Sequence, residues 1–237
     1  LVEEMRSASS APTPNVTPAA QTLTVGAVKP NDKLIEDFFN KVGSSLEEVK
    51  GATELDWSEK GLNDDDCKVI AWLVASGALA SLEGLSLAGN QIGDEGMKAF
   101  SSSLSSGALG SLQELYLHRN QIGDEGMKAF STALSSGALA SLKEFYLYNN
   151  QIGDEGMKAF SSALSSGALA FLQKLWLGAN RISDEGMKAF STALSSGALA
   201  SLKELYLYQN QIGDEGMKAF STALSSGSLS NLTVLYL

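Results

Sequence analysis

The string Asp-Glu-Gly-Met-Lys-Ala-Phe begins at residues 94, 124, 154, 184 and 214, a step of 30 residues each time. A period this strict describes a stack of one supersecondary unit rather than a globule around a single centre. Each unit carries an apolar face that only a neighbouring copy can bury, so the copies line up along an axis. In such an array the repeated residues build the scaffold. The residues that do not repeat carry the functional information.

The string fixes the register of five regular units, 81–110, 111–140, 141–170, 171–200 and 201–230. In the first of them Leu82, Leu85 and Leu87 precede Asn90 and Ile92. The alternation of Leu85 and Leu87 predicts a short strand with both side chains inward. Asn90 follows at the bend, where an amide that both donates and accepts can satisfy backbone groups. Its copies Asn120, Asn150, Asn180 and Asn210 should form a ladder. Asp94 reads as the N-cap of the helix it begins, and Glu95 suits that helix's positive end. Gly96, Met97, Phe100 and Leu104 share one helical face, with Gly96 expected to let the helix approach the strand layer. Gly107 is placed to end the helix.

Residues 51–80 form a degenerate first repeat. Leu55 and Trp57 stand for the paired leucines, Leu62 for isoleucine, Cys67 for methionine, Ile70 for phenylalanine and Lys60 for asparagine. Residues 231–237 begin a further unit and stop at Leu237 within the expected strand. The chain also starts at Leu1 rather than Met, so it is expected to be processed, a fragment or partial; beyond Leu237 it is expected either to continue or to have that edge covered by a neighbour. Upstream, all four prolines lie within residues 1–30, which reads as an extended Pro/Ala/Ser/Thr-rich tail. Residues 31–50 predict a helical N-terminal cap. Asn31 or Asp32 starts it, Leu34, Ile35, Phe38, Phe39 and Val42 make its apolar face, Gly43 stops it, and Leu46 and Val49 extend the cover over the first repeat.

The residues from Leu82 to Leu104 resemble the leucine-rich repeat family, and the pattern is most similar to its ribonuclease-inhibitor-like subtype, with Ile92 and Phe100 in place of leucine. Arrays of this 30-residue kind are also similar to those of unicellular algae and other protists. The resemblance covers 81–237 strongly and 51–80 weakly. It implies an α/β leucine-rich repeat solenoid, with a curved parallel sheet on the concave side and helices on the convex side. It implies no enzymatic chemistry.

The helical halves of the units are nearly identical, whereas the third, fourth, sixth, eighth and ninth positions vary. The sixth reads Ser86, Tyr116, Tyr146, Trp176, Tyr206 and Tyr236. The eighth reads Ala88, His118, Tyr148, Gly178 and Tyr208, and the ninth includes Arg119. Every tyrosine and the only histidine belong to these sets. Tyrosine, tryptophan and arginine bury large areas while keeping a polar end, so Tyr116, His118, Arg119, Tyr146, Tyr148, Trp176, Tyr206, Tyr208 and Tyr236 form the expected partner-binding surface. Cross-strand stacking that only stabilises the sheet is the competing account.

Other chemistry is excluded by pattern. A net charge of −10 argues against a nucleic-acid partner. The Asp-Glu pairs form a row that does not converge as calcium ligands must. His118 lacks the cysteine or acidic partner that catalysis would require, and Cys67 reads as a buried, inert thiol. The sequons at Asn15 and Asn231 are read as chance matches. No cofactor, metal, phosphate loop or membrane span is expected. One cysteine precludes an internal disulfide and favours a reducing, intracellular compartment, the cytoplasm or an organelle interior. The sequence therefore predicts a non-enzymatic protein-interaction module using a concave aromatic face. The alternatives are a scaffold subunit of a large assembly, held by its tail and solenoid edges, and a glycan-binding protein.

Overall fold

The computed structural model describes residues 28–104, 107 and 109–237. Most of the expected tail, residues 1–27, lies outside the described residues. The elements alternate from the first repeat onward: β1 (Glu54–Asp56), α3 (Asp64–Ala75), β2 (Gly84–Ser86), α4 (Asp94–Leu104), β3 (Glu114–Tyr116), α5 (Asp124–Ser135), β4 (Glu144–Tyr146), α6 (Asp154–Ser165), β5 (Lys174–Trp176), α7 (Asp184–Ser195), β6 (Glu204–Tyr206), α8 (Asp214–Ser225) and β7 (Val234–Tyr236). The seven strands form one parallel sheet in sequence order. Pairing is in strict register, Leu85 opposite Leu115 and Tyr116 opposite Tyr146. Parallel strands sit about 4.8 Å apart, whereas packed helices need about 8–10 Å between axes. The stack therefore bends, with the strands on the inside. Strand β7 is as long as the others, so the partial unit completes its strand instead of stopping within it.

One continuous core runs the length of the array, from Phe38 to Leu229, and the repeated leucines, isoleucines, methionines and phenylalanines are its substance. Phe145, in place of a strand leucine, sits between Phe130 and Phe160 at centroid distances of 5.3 and 6.3 Å. The cap forms as expected. Helix α1 (Asp32–Val42) is capped by the Asn31 side chain, ends at Gly43 in the left-handed region, and buries Phe38 and Val42. Phe38 packs edge-on against Trp57 of the first repeat, 5.2 Å between centroids. A short helix α2 (Leu46–Val49) with a Ser45–Glu48 capping box follows.

The asparagine ladder is present and reaches backwards. Asn120 Oδ1 accepts from the Ile92 N–H at 3.0 Å, and its Nδ2 donates to the carbonyls of Leu87 and Leu117 at 2.9 and 3.1 Å. Each amide thus ties its own bend to the one before. The first repeat has no earlier bend to tie, which is why Lys60 can stand where asparagine is otherwise required.

The repeated aspartate corrects the expectation for Asp94. It does not cap its own helix. Asp94 Oδ1 accepts from the N–H groups of Gly123 and Gly126, both at 2.8 Å, at the start of the next helix. Asp124, Asp154 and Asp184 repeat the arrangement. The N-cap residue of α5 makes no side-chain cap bond of its own. Orphan amides at a helix start need an acceptor, and here the preceding repeat supplies it. Helix α3 has no such predecessor and carries its own cap: Asn63 accepts from the amides of Asp65 and Asp66, and Asp66 reciprocates. Asp66 is fully buried and also receives Lys41 from the cap helix at 2.6 Å.

The glycine at the third helical position is explained by the same contact. A Cβ at Gly126 would lie 2.7 Å from Asp94 Oδ1 and 3.0 Å from Met97 Cβ. The close approach is to the neighbouring helix, not to the strand layer as the sequence suggested. At the N-cap, three residues earlier, Ser183 can replace glycine because its hydroxyl donates to Asp154 at 2.6 Å. Helix ends follow expectation. Gly137, at φ +89°, donates to Leu134 O, and Ala138 donates back to Ala133 O, the paired bonds of a Schellman ending.

Candidate binding surface

Side chains alternate across a strand, so with the fifth and seventh positions inward, the fourth, sixth and eighth share the open face. The in-register parallel pairing then sets equivalent residues side by side. Tyr116 stacks on Tyr146 with centroids 4.6 Å apart, and Tyr146 on Trp176 at 4.1 Å. Trp176 meets Tyr206 at 4.5 Å with the rings tilted by 44°, and Tyr206 stacks on Tyr236 at 4.7 Å. The sixth-position aromatics therefore form one unbroken row across five strands.

The second row is built differently along its length. His118 stacks on Tyr148 at 4.3 Å and 13°. Tyr148 then leans towards Trp176, 5.8 Å away. Tyr208 lies against Gly178, where a Cβ would fall 2.5 Å from the ring. Glycine at 178 is thus the condition for that placement. Arg119 is exposed in the bend after β3, at φ +56°, and Glu59, Gly89, Asn149, Ala179 and Gln209 share its left-handed backbone at the ninth position. Left-handed φ was not anticipated there, because only Gly89 and Asn149 belong to residue types that favour it.

The fourth position adds a charged rail that the sequence reading left out. Tyr116 Oη lies 2.6 Å from Glu114 and 3.2 Å from Glu144, and Tyr146 donates to Glu144 at 2.8 Å. Lys174 bridges to Glu144 at 2.8 Å. The period-two argument that placed the aromatics would also have found Glu114, Glu144, Lys174 and Glu204. Burial and the bond to Glu114 push the Tyr116 phenol up, and burial with Glu144 does the same for Tyr146. Burial raises the Glu144 carboxyl, but the bonds from Lys174 and Tyr146 outweigh it, so Glu144 is held below its usual range. These hydroxyls are fixed donors at physiological pH.

His118 is pushed down to about 4, first by burial and then by the neighbouring Arg119 charge. The unfolded chain would protonate it near its ordinary value of about 6.5. Between those two values the unfolded state binds the extra proton, so His118 lowers stability as pH falls through this window and adds nothing further below it. An NMR titration of its imidazole should give a midpoint well below the ordinary value; one near 6.5 would contradict the packing against Tyr148.

Among the described residues no group of His, Cys, Asp and Glu could hold a metal, and no helix is long and apolar enough to cross a membrane. Cys67 is buried and unpaired, and burial pushes its thiol well above the ordinary range.

The family model described as "Leucine Rich repeat" matches residues 78–101, 111–131, 138–161, 168–191 and 198–221. The matched segments coincide with the strand–helix units described above. The chain is a leucine-rich repeat protein. Solved structures similar to it include the leucine-rich repeat ectodomain of the Arabidopsis receptor kinase HAESA, in complex with an extended IDA peptide hormone, at 21% identity and a TM-score of 0.47. That alignment covers 77% of this chain and 25% of the receptor chain, so this leucine-rich repeat protein spans about a quarter of it. Internalin C2 of Listeria monocytogenes aligns at 23% identity and a TM-score of 0.41, over 89% of this chain and 94% of the internalin. No curated protein matches the sequence. The expectation of an intracellular compartment is corrected by these neighbours: they include a receptor ectodomain and an internalin, and a leucine-rich repeat protein with one cysteine is not placed inside a cell by that count.

Proposed function

We propose that this leucine-rich repeat protein is a non-enzymatic binding module that receives a protein partner on the concave aromatic face. The observation carrying the proposal is the segregation of variation. Units with near-identical helices differ at the fourth, sixth and eighth positions, which meet on one side of the sheet, and there the differences assemble rings, hydroxyls and charges into a continuous surface. Stability alone accounts for part of the row, since stacked aromatic neighbours contribute about 0.2–1 kcal/mol per pair.

The stacking also says what the face offers. Ring faces are turned on one another, so a partner meets ring edges, tyrosine hydroxyls and the Glu114–Glu144–Lys174 rail. Sugars bind aromatic residues through open ring faces, and this arrangement leaves few. A protein surface with donors for the carboxylates and apolar groups for the ring edges fits better. Within the family, an α-helix of 11 or 12 residues in every regular repeat supports the ribonuclease-inhibitor-like subtype.

Replacing Tyr146, Trp176 and Tyr206 together by alanine is expected to reduce capture of the natural partner by at least about a hundredfold, since central aromatic anchors are worth about 2 kcal/mol or more each. Far-ultraviolet circular dichroism should remain that of the folded array. Undiminished capture by the folded variant would remove the concave-face reading.

A further inference from the structure

From the second repeat onward the first position is Ser81, Ser111, Ser141, Ser201 or Asn231, but the unit beginning at 171 has phenylalanine. Phe171 is 63% exposed in the middle of the array, whereas the other exposed large apolar side chains among the described residues, Val28, Leu224, Tyr236 and Leu237, lie towards its two ends. It does not belong to the concave face. Together with third-position side chains it lines an open groove of about 680 Å³ along one edge of the solenoid. The groove's lysines are Lys143 and Lys203, from the repeats on either side of Phe171.

These two lysines are paired unlike Lys174 and the lysines of helices α4 to α7. The helix lysines Lys98, Lys128, Lys158 and Lys188 each bridge to a glutamate three residues earlier, and Lys174 bridges to Glu144. Lys143 instead donates to the neutral amide of Gln113 at 2.6 Å, and Lys203 to that of Gln173 at 2.9 Å. In a chain of net charge −10, the edge thus keeps two ammonium groups without carboxylates around an exposed aromatic ring. The groove's one acid, Glu83, lies at its far end beyond Gln113.

We propose that this edge docks an extended acidic segment of a protein partner, with carboxylates on Lys143 and Lys203 and an apolar side chain on Phe171. The dimensions agree. Lys143 and Lys203 are two repeats apart, about 10 Å at the spacing of parallel strands, and in an extended peptide residues i, i+2 and i+4 share one face over about 13 Å, within reach of both lysine side chains. The lysine stems can lie along apolar surface while their ammonium groups stay in water, so one side chain serves both contacts. A nucleic acid would need a denser positive stripe than two lysines provide. The site does not depend on the concave-face reading and would stand if that reading failed.

The test uses the full chain and short synthetic peptides of the pattern Glu-x-Leu-x-Glu, which puts all three side chains on one face of an extended chain, with lysine-for-glutamate peptides as the control. Amide shifts followed by NMR should move at Phe171, Gln173 and the neighbouring third positions, and binding should weaken as salt is raised. Phe171→Ser, which restores the residue of the sister repeats and should fold normally, is expected to weaken binding by about tenfold or more. Lys143→Gln with Lys203→Gln should remove the salt dependence. The triple alanine change on the concave face should leave peptide binding untouched. The proposal fails if no glutamate peptide binds, if the lysine peptide binds equally well, or if Phe171→Ser binds as the parent does. It also fails if sedimentation shows a concentration-dependent dimer that Phe171→Ser abolishes, which would make a second copy of the chain the occupant.

Discussion

Asn150→Ala is expected to cost the solenoid about 2–4 kcal/mol: it strands the buried Ile122 N–H at about 1–3 kcal/mol and takes one of two amide donors from each of the Leu117 and Leu147 carbonyls, which keep Asn120 and Asn180. The asparagine itself is buried, and its Oδ1 accepts from Ile122 at 3.0 Å while its Nδ2 donates to both carbonyls at 3.0 Å. Alanine removes every one of these partners and adds none. Aspartate at 150 should do no better, since it keeps the acceptor for Ile122 but turns a second oxygen towards two carbonyls. Arrays of repeats unfold in parts, so a single melting temperature would blur the effect. Native-state hydrogen exchange at Ile122 is the sharper measurement. Protection there should fall far more than at Ile182, two bends away. A loss below about 1 kcal/mol would show that water substitutes for the amide and that the ladder is not the joint described here.

The second large effect is expected from Gly156→Ala, and its sign runs against helix propensity. Alanine is the better helix former by about 1 kcal/mol. In the fold, however, its Cβ would fall 2.7 Å from Asp124 Oδ1, 3.1 Å from Met127 Cβ and 3.2 Å from Asp124 Cα. The carboxylate cannot turn aside freely, because it holds the amides of Gly153 and Gly156 at 2.7 and 2.9 Å. Overpacking at about 1–3 kcal/mol and weakened bonds to a charged acceptor at about 1.5–3 kcal/mol outweigh the propensity gain. The net loss should be about 2–4 kcal/mol. The same change in an isolated peptide of α6 should raise helicity, which separates the two terms. Asp124→Ala combined with Gly156→Ala should cost less than the sum of the single changes, because the atom that is struck has been removed. A stabilised Gly156→Ala protein would refute the account.

These two sites show why some contacts were legible in the sequence and others were not. The register, the strand and helix of every unit, the inward leucines and the aromatic row all follow from periodicity, which one chain displays openly. What the sequence could not settle was ownership. When units are near copies, an aspartate serving its own helix and one serving the next give the same string, since Asp94 and Asp124 occupy the same place. The sequence therefore assigns Asp94 to the wrong helix start and credits Gly96 with approach to the sheet. The distinguishing signal lies in the degenerate unit, where Asn63 and Asp66 replace the two glycines because no earlier repeat supplies an aspartate to their helix. The acidic rail at Glu114 and Glu144 was open to the same period-two argument as the tyrosines. Phe171 gives a weaker signal for another reason: it departs from its column in one regular unit only, whereas the concave columns vary throughout.

The shared cap at the helix starts bears on how such a chain lengthens. One half of each joint, the aspartate, sits in one unit, and the other half, the two amides freed of side chains, sits in the next. A tandem duplication of any 30-residue window, wherever its ends fall, carries both halves and sets them opposite each other again. The new copy meets its neighbours with a finished interface and needs no compensating substitutions before it folds. Growth by copying is therefore cheap, while drift at either half is penalised at once, and change is left to the surfaces where the joint plays no part.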